Sequence, residues 1–343
     1  MLFLAASTSR GQNQSVVLNL PEGSQKAVVV QRIGLTDVTI TYHRPLVKGR
    51  KIWGDLVPYG KVWRAGANEN TLFEVSDPVM IEGQALPKGS YGLHMIPNEN
   101  SWTVIFSKNF TSWGSFSYDE KEDALRVNVT PGPTDFHEAL TYDFDSLAPD
   151  SAAATLRWEK LAVPFKISAN VPEITLASIR NQLRTVPGFI WVGWNDAATY
   201  CLENKTDYDE AMKWVDQSIQ AEERFENDQT KAQVLEATGK TAEAKTYHDK
   251  ALQNASAVQL HGYGRQLLTE KKTDEAIKVF QLNAKKHPND WVVHASLARA
   301  ESAQGHYASA AKEMKLALKG APENQQTYIK GLVDKLEAGK DIN

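Results

Sequence analysis

The chain has 343 residues, enough for two domains of ordinary size, and a 42% hydrophobic content that can fill two cores. Its 38 Lys and Arg against 42 Asp and Glu leave a net charge of −4 with no basic stripe, which speaks against a nucleic-acid partner. No window approaches the 18 apolar residues of a membrane span, and the lone Cys201 excludes an internal disulfide or a thiolate metal cage.

The N-terminus reads MLFLAASTSRGQNQS, an apolar run followed by small and polar residues. This is the pattern of the end of a secretory leader and its cleavage zone, without the basic start. Residues 1–16 are therefore expected to be a truncated signal-peptide remnant, and the protein to be periplasmic or secreted.

From about residue 27 to 168 the hydrophobic period is two. TDVTITYHR sets Val38, Ile40 and Tyr42 on one face, and SYGLHMIP sets Tyr91, Leu93 and Met95 against Gly92, His94 and Ile96. SWTVIFS, ALRVNV, ALTYDFD, TLRWEKL and VPFKI continue the series. Turn signals at Glu82-Gly83, Pro87-Lys88-Gly89, Pro97 to Asn100 and Pro131-Gly132-Pro133 separate them. Seven to nine short strands with no helical pattern between them predict an antiparallel β-sandwich over 27–168; a closed barrel would share the same parity.

SANVPEI reads as a linker, after which the period is helical over 174–339. Ala211, Ala244, Ala276 and Ala310 recur every 32 to 34 residues. Twelve positions before them stand Thr199, Ala232, Gly264 and Ala298, and seven after them Ser218, Ala251, Asn283 and Ala317. Two antiparallel helices need small residues where they cross and a bulky plug such as Phe280 or Met314 between units. Pro288 and Pro322 stop the second helix of the last two units. The pattern resembles tetratricopeptide repeats over about 190–322, with NQQTYIKGLVDKLEAG as a capping helix. Such arrays bind peptides or partner proteins in a concave groove, so a protein partner is what the resemblance implies. Cys201, in the helical AATYCLEN, reads as a buried inert thiol.

Nucleotide-binding and hydrolase motifs are absent, and no cofactor or metal site is expected. His137-Glu138-Ala139-Leu140-Thr141 begins like a zinc-protease motif but ends on Thr141 and lies in a strand. Glu69, Glu74, Glu82 and Asp143 are candidate acid–base carboxylates by type only. The richest stretch is the one between the second strand and the third. It sets Arg44, Arg50, Lys61 and Arg64 near Tyr42, Trp53, Tyr59 and Trp63, and ends in Asn68 and Glu69. Guanidinium planes stack on aromatic rings and grip carboxylates, and a Trp platform with Asn and Glu suits a glycan or small polar ligand. The same residues could instead plug the sandwich, with Arg64 paired to Glu69 or Glu74.

HRPLVKGRKIWG, LVPYGKVWRAGANENT, LPKGSYGLHMIP, WTVIFSKN, SWGSFSYDEKEDALRV and TLRWEKLAVPF resemble, in order, a family of secreted bacterial proteins known as domain of unknown function 2911. The resemblance covers about 28–168, with its signature at Gly49 to Gly54 and Pro58 to Glu69. It implies an envelope or secreted setting and carries no activity.

The expectation is thus an exported two-domain chain, all-β then all-α. Its helical array engages a protein partner, and its sandwich binds a small polar ligand or glycan through Arg44, Arg50, Trp53, Tyr59, Trp63, Arg64, Asn68, Glu69 and His94. The rival is a hydrolase, metal-assisted or not, using His94 or His43 with Glu69. A third alternative makes the sandwich an assembly module without a small ligand.

Overall fold

The computed structural model describes residues 21–343; the leader expected at 1–16 lies outside them. The chain divides between Ser178 and Ile179 into two units.

Among the described residues the first unit holds ten strands: β1 (Gln25–Ile33), β2 (Thr36–Arg44), β3 (Thr71–Val75), β4 (Val79–Ile81), β5 (Gln84–Leu86), β6 (Gly89–Ile96), β7 (Trp102–Ser107), β8 (Asp123–Val129), β9 (Gly132–Ala148) and β10 (Ser151–Ala169). They form a six-stranded sheet in the order β1-β2-β3-β6-β7-β8 and a four-stranded sheet in the order β5-β4-β10-β9. All pairings are antiparallel. The expected alternation selects the inner face: Val38, Ile40, Tyr42, Leu93, Met95, Val104 and Phe106 are all buried. Opposite them the second sheet supplies Leu156, Trp158, Phe165 and Ile167 to the same core. Phe165 meets Phe73 at 6.2 Å and Phe106 at 5.9 Å, and Tyr42 meets Tyr142 edge-on at 4.9 Å. Two separate sheets around one core make this a sandwich, not a closed barrel.

The strands differ from the sequence expectation for a local reason at each place. Glu82 and Gly83 have φ of 47° and 77°, as a two-residue mirror-image turn requires, and they join two three-residue strands too short to show a period. TLRWEKL and VPFKI fuse into the 19-residue β10, because no turn separates them and register shifts between Arg157 and Leu161 absorb the irregularity. Residues 168–174, expected as a linker, end β10 and open α1 (Val171–Gln182), whose Val171 and Ile174 pack on the sandwich core.

The second unit contains four helical hairpins. They pair α2 (Trp191–Glu203) with α3 (Tyr208–Ala221), α4 (Phe225–Ala237) with α5 (Thr241–Asn254), α6 (Ala257–Thr269) with α7 (Thr273–Lys286), and α8 (Trp291–Ala303) with α9 (Tyr307–Gly320). The helix α10 (Glu323–Glu337) closes the series with Ile329, Leu332, Val333 and Leu336 packed against Ala310 and Met314. Ala211, Ala244, Ala276, Ala310, Ala232 and Ala298 are fully buried where helices cross. Gly264 shows why: a Cβ there would stand 2.3 Å from the Phe280 ring. In the first hairpin Thr199 is only half-buried and Ala198 takes the crossing position. Its loop, 204–207, has four residues where the other three hairpins have three, which moves the register by one. Ser218 and Asn283, equivalent in the repeat, do more than leave room. Each donates to the carbonyl of the first residue of its own hairpin, Trp191 (2.8 Å) and Ala257 (2.9 Å).

Candidate functional site

The connection between β2 and β3 is held from inside. Ile52, Val57, Ala65 and Ala67 are buried pegs. Trp63 exchanges backbone hydrogen bonds with Met95 at 2.8 Å each, so the segment runs beside β6. Trp53 packs edge-on to Trp102 (5.0 Å) and Trp158 (5.8 Å), while Trp63 stacks on Trp158 (6.0 Å) and donates its indole N–H to Gly66 O. Both tryptophans therefore plug the end of the sandwich. Ala65 and Asn68 sit in the left-handed region, at φ of 49° and 59°. The strained Ala65 carbonyl accepts from the Thr71 hydroxyl and from Tyr142 Oη.

The cations divide. Arg44 Nε donates to Leu140 O at 3.1 Å, and Arg50 donates to Val47 O and Leu46 O, so both tie down backbone. Arg64 pairs with neither Glu69 nor Glu74. It lies 5.7 Å from the Trp113 ring, makes no ion pair among the described residues, and has its pKa lowered by burial. Glu74 instead accepts from Ser90. Trp113 and Phe116, between β7 and β8, stack at 5.9 Å and are largely exposed, and Tyr59 of the β2–β3 connection is partly exposed.

The two histidines of interest part company. His94 is 2% exposed, with Nδ1 3.0 Å from Ser115 Oγ and its ring against Tyr118. Burial pulls its pKa down to about 4, so it is neutral near pH 7. His43, on β2, joins Glu69 as the sequence allowed, and also Glu22. Its Nε2 lies 3.0 Å from Glu22 Oε2 and 3.4 Å from Glu69 Oε2. Asn68 Nδ2 donates to the same Glu22 oxygen at 2.7 Å. This cluster borders a cavity of about 850 Å³ whose wall includes Lys26, Thr41, Asn70 and Phe110. Asn70 N donates to Ser112 O, which fixes the 108–119 loop over that wall. His137 lies elsewhere on β9, and the neighbouring Glu138 accepts from Lys48 N with its carboxylate and from Val47 N with its carbonyl.

The helical unit holds a second concavity, of about 390 Å³. It is lined by the second, fifth and ninth residues of α6 and α8: Val258, His261 and Arg265, then Val292, Ala295 and Arg299. Tyr328 of α10 closes one side. Arg299 is 5% exposed and donates to Ile342 O at 2.7 Å; Arg265 is exposed and makes no ion pair among the described residues. Burial, with Arg299 and Arg265 nearby, pulls the His261 pKa down to about 4.

The sandwich, its tryptophan plug and its β2–β3 connection lie within one family assignment. Residues 24–167 match the model of the family described as protein of unknown function, DUF2911. The DUF2911 match thus spans all ten strands except the last two residues of β10. No curated protein matches the chain. Among solved structures, the chain is similar to YrrB, a TPR protein whose title names an unusual peptide-binding site. Identity there is 16%, over 46% of this chain and 82% of that one, at a TM-score of 0.27. It is also similar to the C-terminal part of a TPR repeat-containing protein from Cytophaga hutchinsonii, at 13% identity, 48% and 64% coverage and TM-score 0.31. A third is MamA from Desulfovibrio magneticus RS-1, at 18% identity, 43% and 95% coverage and TM-score 0.25.

Sequence reasoning did not find Glu22, the Trp113–Phe116 stack, or the groove cations. The last had a readable signal: Arg265 and Arg299 fall at the same place, one repeat apart, on successive first helices. Glu22 had none, since its contact with His43 depends on how the chain enters β1.

Proposed function

We propose that the helical unit is a scaffold that docks a protein segment rich in, or ending in, carboxylates. The observation that carries this reading is Arg265, exposed and without an ion pair among the described residues, at a concave wall shared with Arg299 and His261. A guanidinium there can take a carboxylate in bidentate fashion, while Val258, Val292 and Ala295 supply an apolar floor. In this reading the protein works outside the cytoplasm, as the apolar run at its N-terminus suggests. Labelled peptides of matched length, one acidic and one with its carboxylates amidated, test the idea by fluorescence anisotropy on the full chain. The acidic peptide should bind at least tenfold tighter, weaken with salt, and lose that preference in Arg265→Ala. Equal binding of both peptides would refute the reading.

A glycan or small polar ligand on the sandwich is a second reading. It is favoured by one observation, the exposed Trp113–Phe116 stack beside Arg64.

A further inference from the structure

We propose that Glu22, His43 and Glu69 form a binding site for one divalent transition ion, Zn²⁺ or Mn²⁺, at the edge of the sandwich cavity. The proposal is independent of the helical groove. The three side chains offer one donor atom each, all within 4.8 Å of one another. A metal with ligand distances of about 2.1 Å holds neighbouring donors roughly 3.0–3.4 Å apart. The His43 Nε2 to carboxylate distances are 3.0 and 3.4 Å.

Charge gives a second reason. Two carboxylate oxygens meet around one imidazole nitrogen, and like charges so close repel unless a proton or cation stands between them. His43 is 92% buried on its strand and aims Nε2 at both. Asn68 donates to the same Glu22 oxygen that faces His43, a contact that orients the carboxylate. Its left-handed backbone is what turns the signature loop to allow this. Both glutamates remain about half exposed and face a cavity with room for water or a small anion to complete the coordination. Lys26, opposite His43 in the β1–β2 ladder, lines that cavity and would favour an anionic co-ligand. One imidazole with two carboxylates suits Zn²⁺ or Mn²⁺, and is softer than the all-oxygen set that Ca²⁺ prefers.

The test is calorimetric titration of the chelator-treated full chain with ZnCl₂, MnCl₂ and CaCl₂ separately, with metal content measured after dialysis. One equivalent of Zn²⁺ or Mn²⁺ per chain is expected, with Ca²⁺ weaker. Glu69→Gln and Glu22→Gln should each cut affinity at least tenfold, while Glu120→Gln, an exposed acid outside the cluster and its cavity wall, leaves it unchanged. Melting of the metal-free variants shows that they remain folded. Absence of stoichiometric binding, or binding unaffected by both glutamine variants, overturns the proposal.

Discussion

Replacing Asp228 should make the protein more stable at neutral pH, and by an amount that depends on pH. Asp228 is the fourth residue of α4, the place Leu260 takes in α6. It is fully buried, and neither carboxylate oxygen has a hydrogen-bond partner among the described residues. Burial raises its pKa from 3.8 to about 6; Lys250 and Lys231 pull the other way, and Glu223 adds to the rise. An acid whose pKa is higher folded than unfolded binds its proton more tightly when folded. Its contribution is therefore most favourable below pH 3.8, is lost as pH rises to about 6, and is constant above that. Two pKa units correspond to about 3 kcal/mol, and relaxation around the charge brings the expected cost at pH 7–8 to about 1–2 kcal/mol. Asp228→Leu puts at this place the apolar residue that α6 has, Leu260. Urea unfolding of the full chain, followed by ellipticity at 222 nm, should show Leu gaining about 1–2 kcal/mol over the parent at pH 8 and much less at pH 4. The same difference at both pH values would refute the argument, because it would mean that ionisation of Asp228 costs nothing.

Three further expectations concern other parts of the molecule. His94, with its pKa lowered to about 4, disfavours folding once it is protonated: sandwich stability is full above pH 6.5 and falls by about 2–3 kcal/mol as pH drops to 4, with the His94 ring proton titrating near 4 by NMR. Gly264→Ala forces a methyl into the Phe280 ring and should cost about 1–3 kcal/mol in thermal unfolding despite the better helix propensity of alanine; Phe280→Leu in that background should recover part of it. Trp158→Ala removes the fully buried centre of the tryptophan plug and should cost about 3–5 kcal/mol, read from the fluorescence-detected unfolding transition.

Much of the architecture was legible because burial on regular elements leaves a period. Val38, Ile40 and Tyr42 share the core face as their alternation requires, and the recurring alanines mark where helices cross. The failures come where no period survives. Thr199 was misplaced because one added loop residue shifts a helix without altering its own pattern. β4 and β5 are too short to repeat anything, and β10 crosses its irregularities without a turn residue to betray them. Of the candidate site, the His43–Glu69 meeting was readable as a pairing of types, since both flank the same connection. The inward turn of Trp53 and Trp63 stood only as one of two alternatives, and the seat of Arg64 beside Trp113 was not readable, because a loop's side-chain directions depend on dihedrals such as the positive φ of Ala65 and Asn68.

The pairing of β4 with β10 has a consequence for how the chain is made. β4 spans 79–81 and its ladder partner residues are 167–169. The six-stranded sheet is mostly a meander of near neighbours and can form while synthesis proceeds, but the β4–β5 hairpin must wait for the last strand of its unit to leave the ribosome. During that interval the inner face of the large sheet, with Phe73, Leu93 and Phe106, has no cover from β10. The helical hairpins contact chiefly their chain neighbours, so each can be completed as it emerges. Slow folding, and any need for a chaperone, should therefore reside in the N-terminal unit.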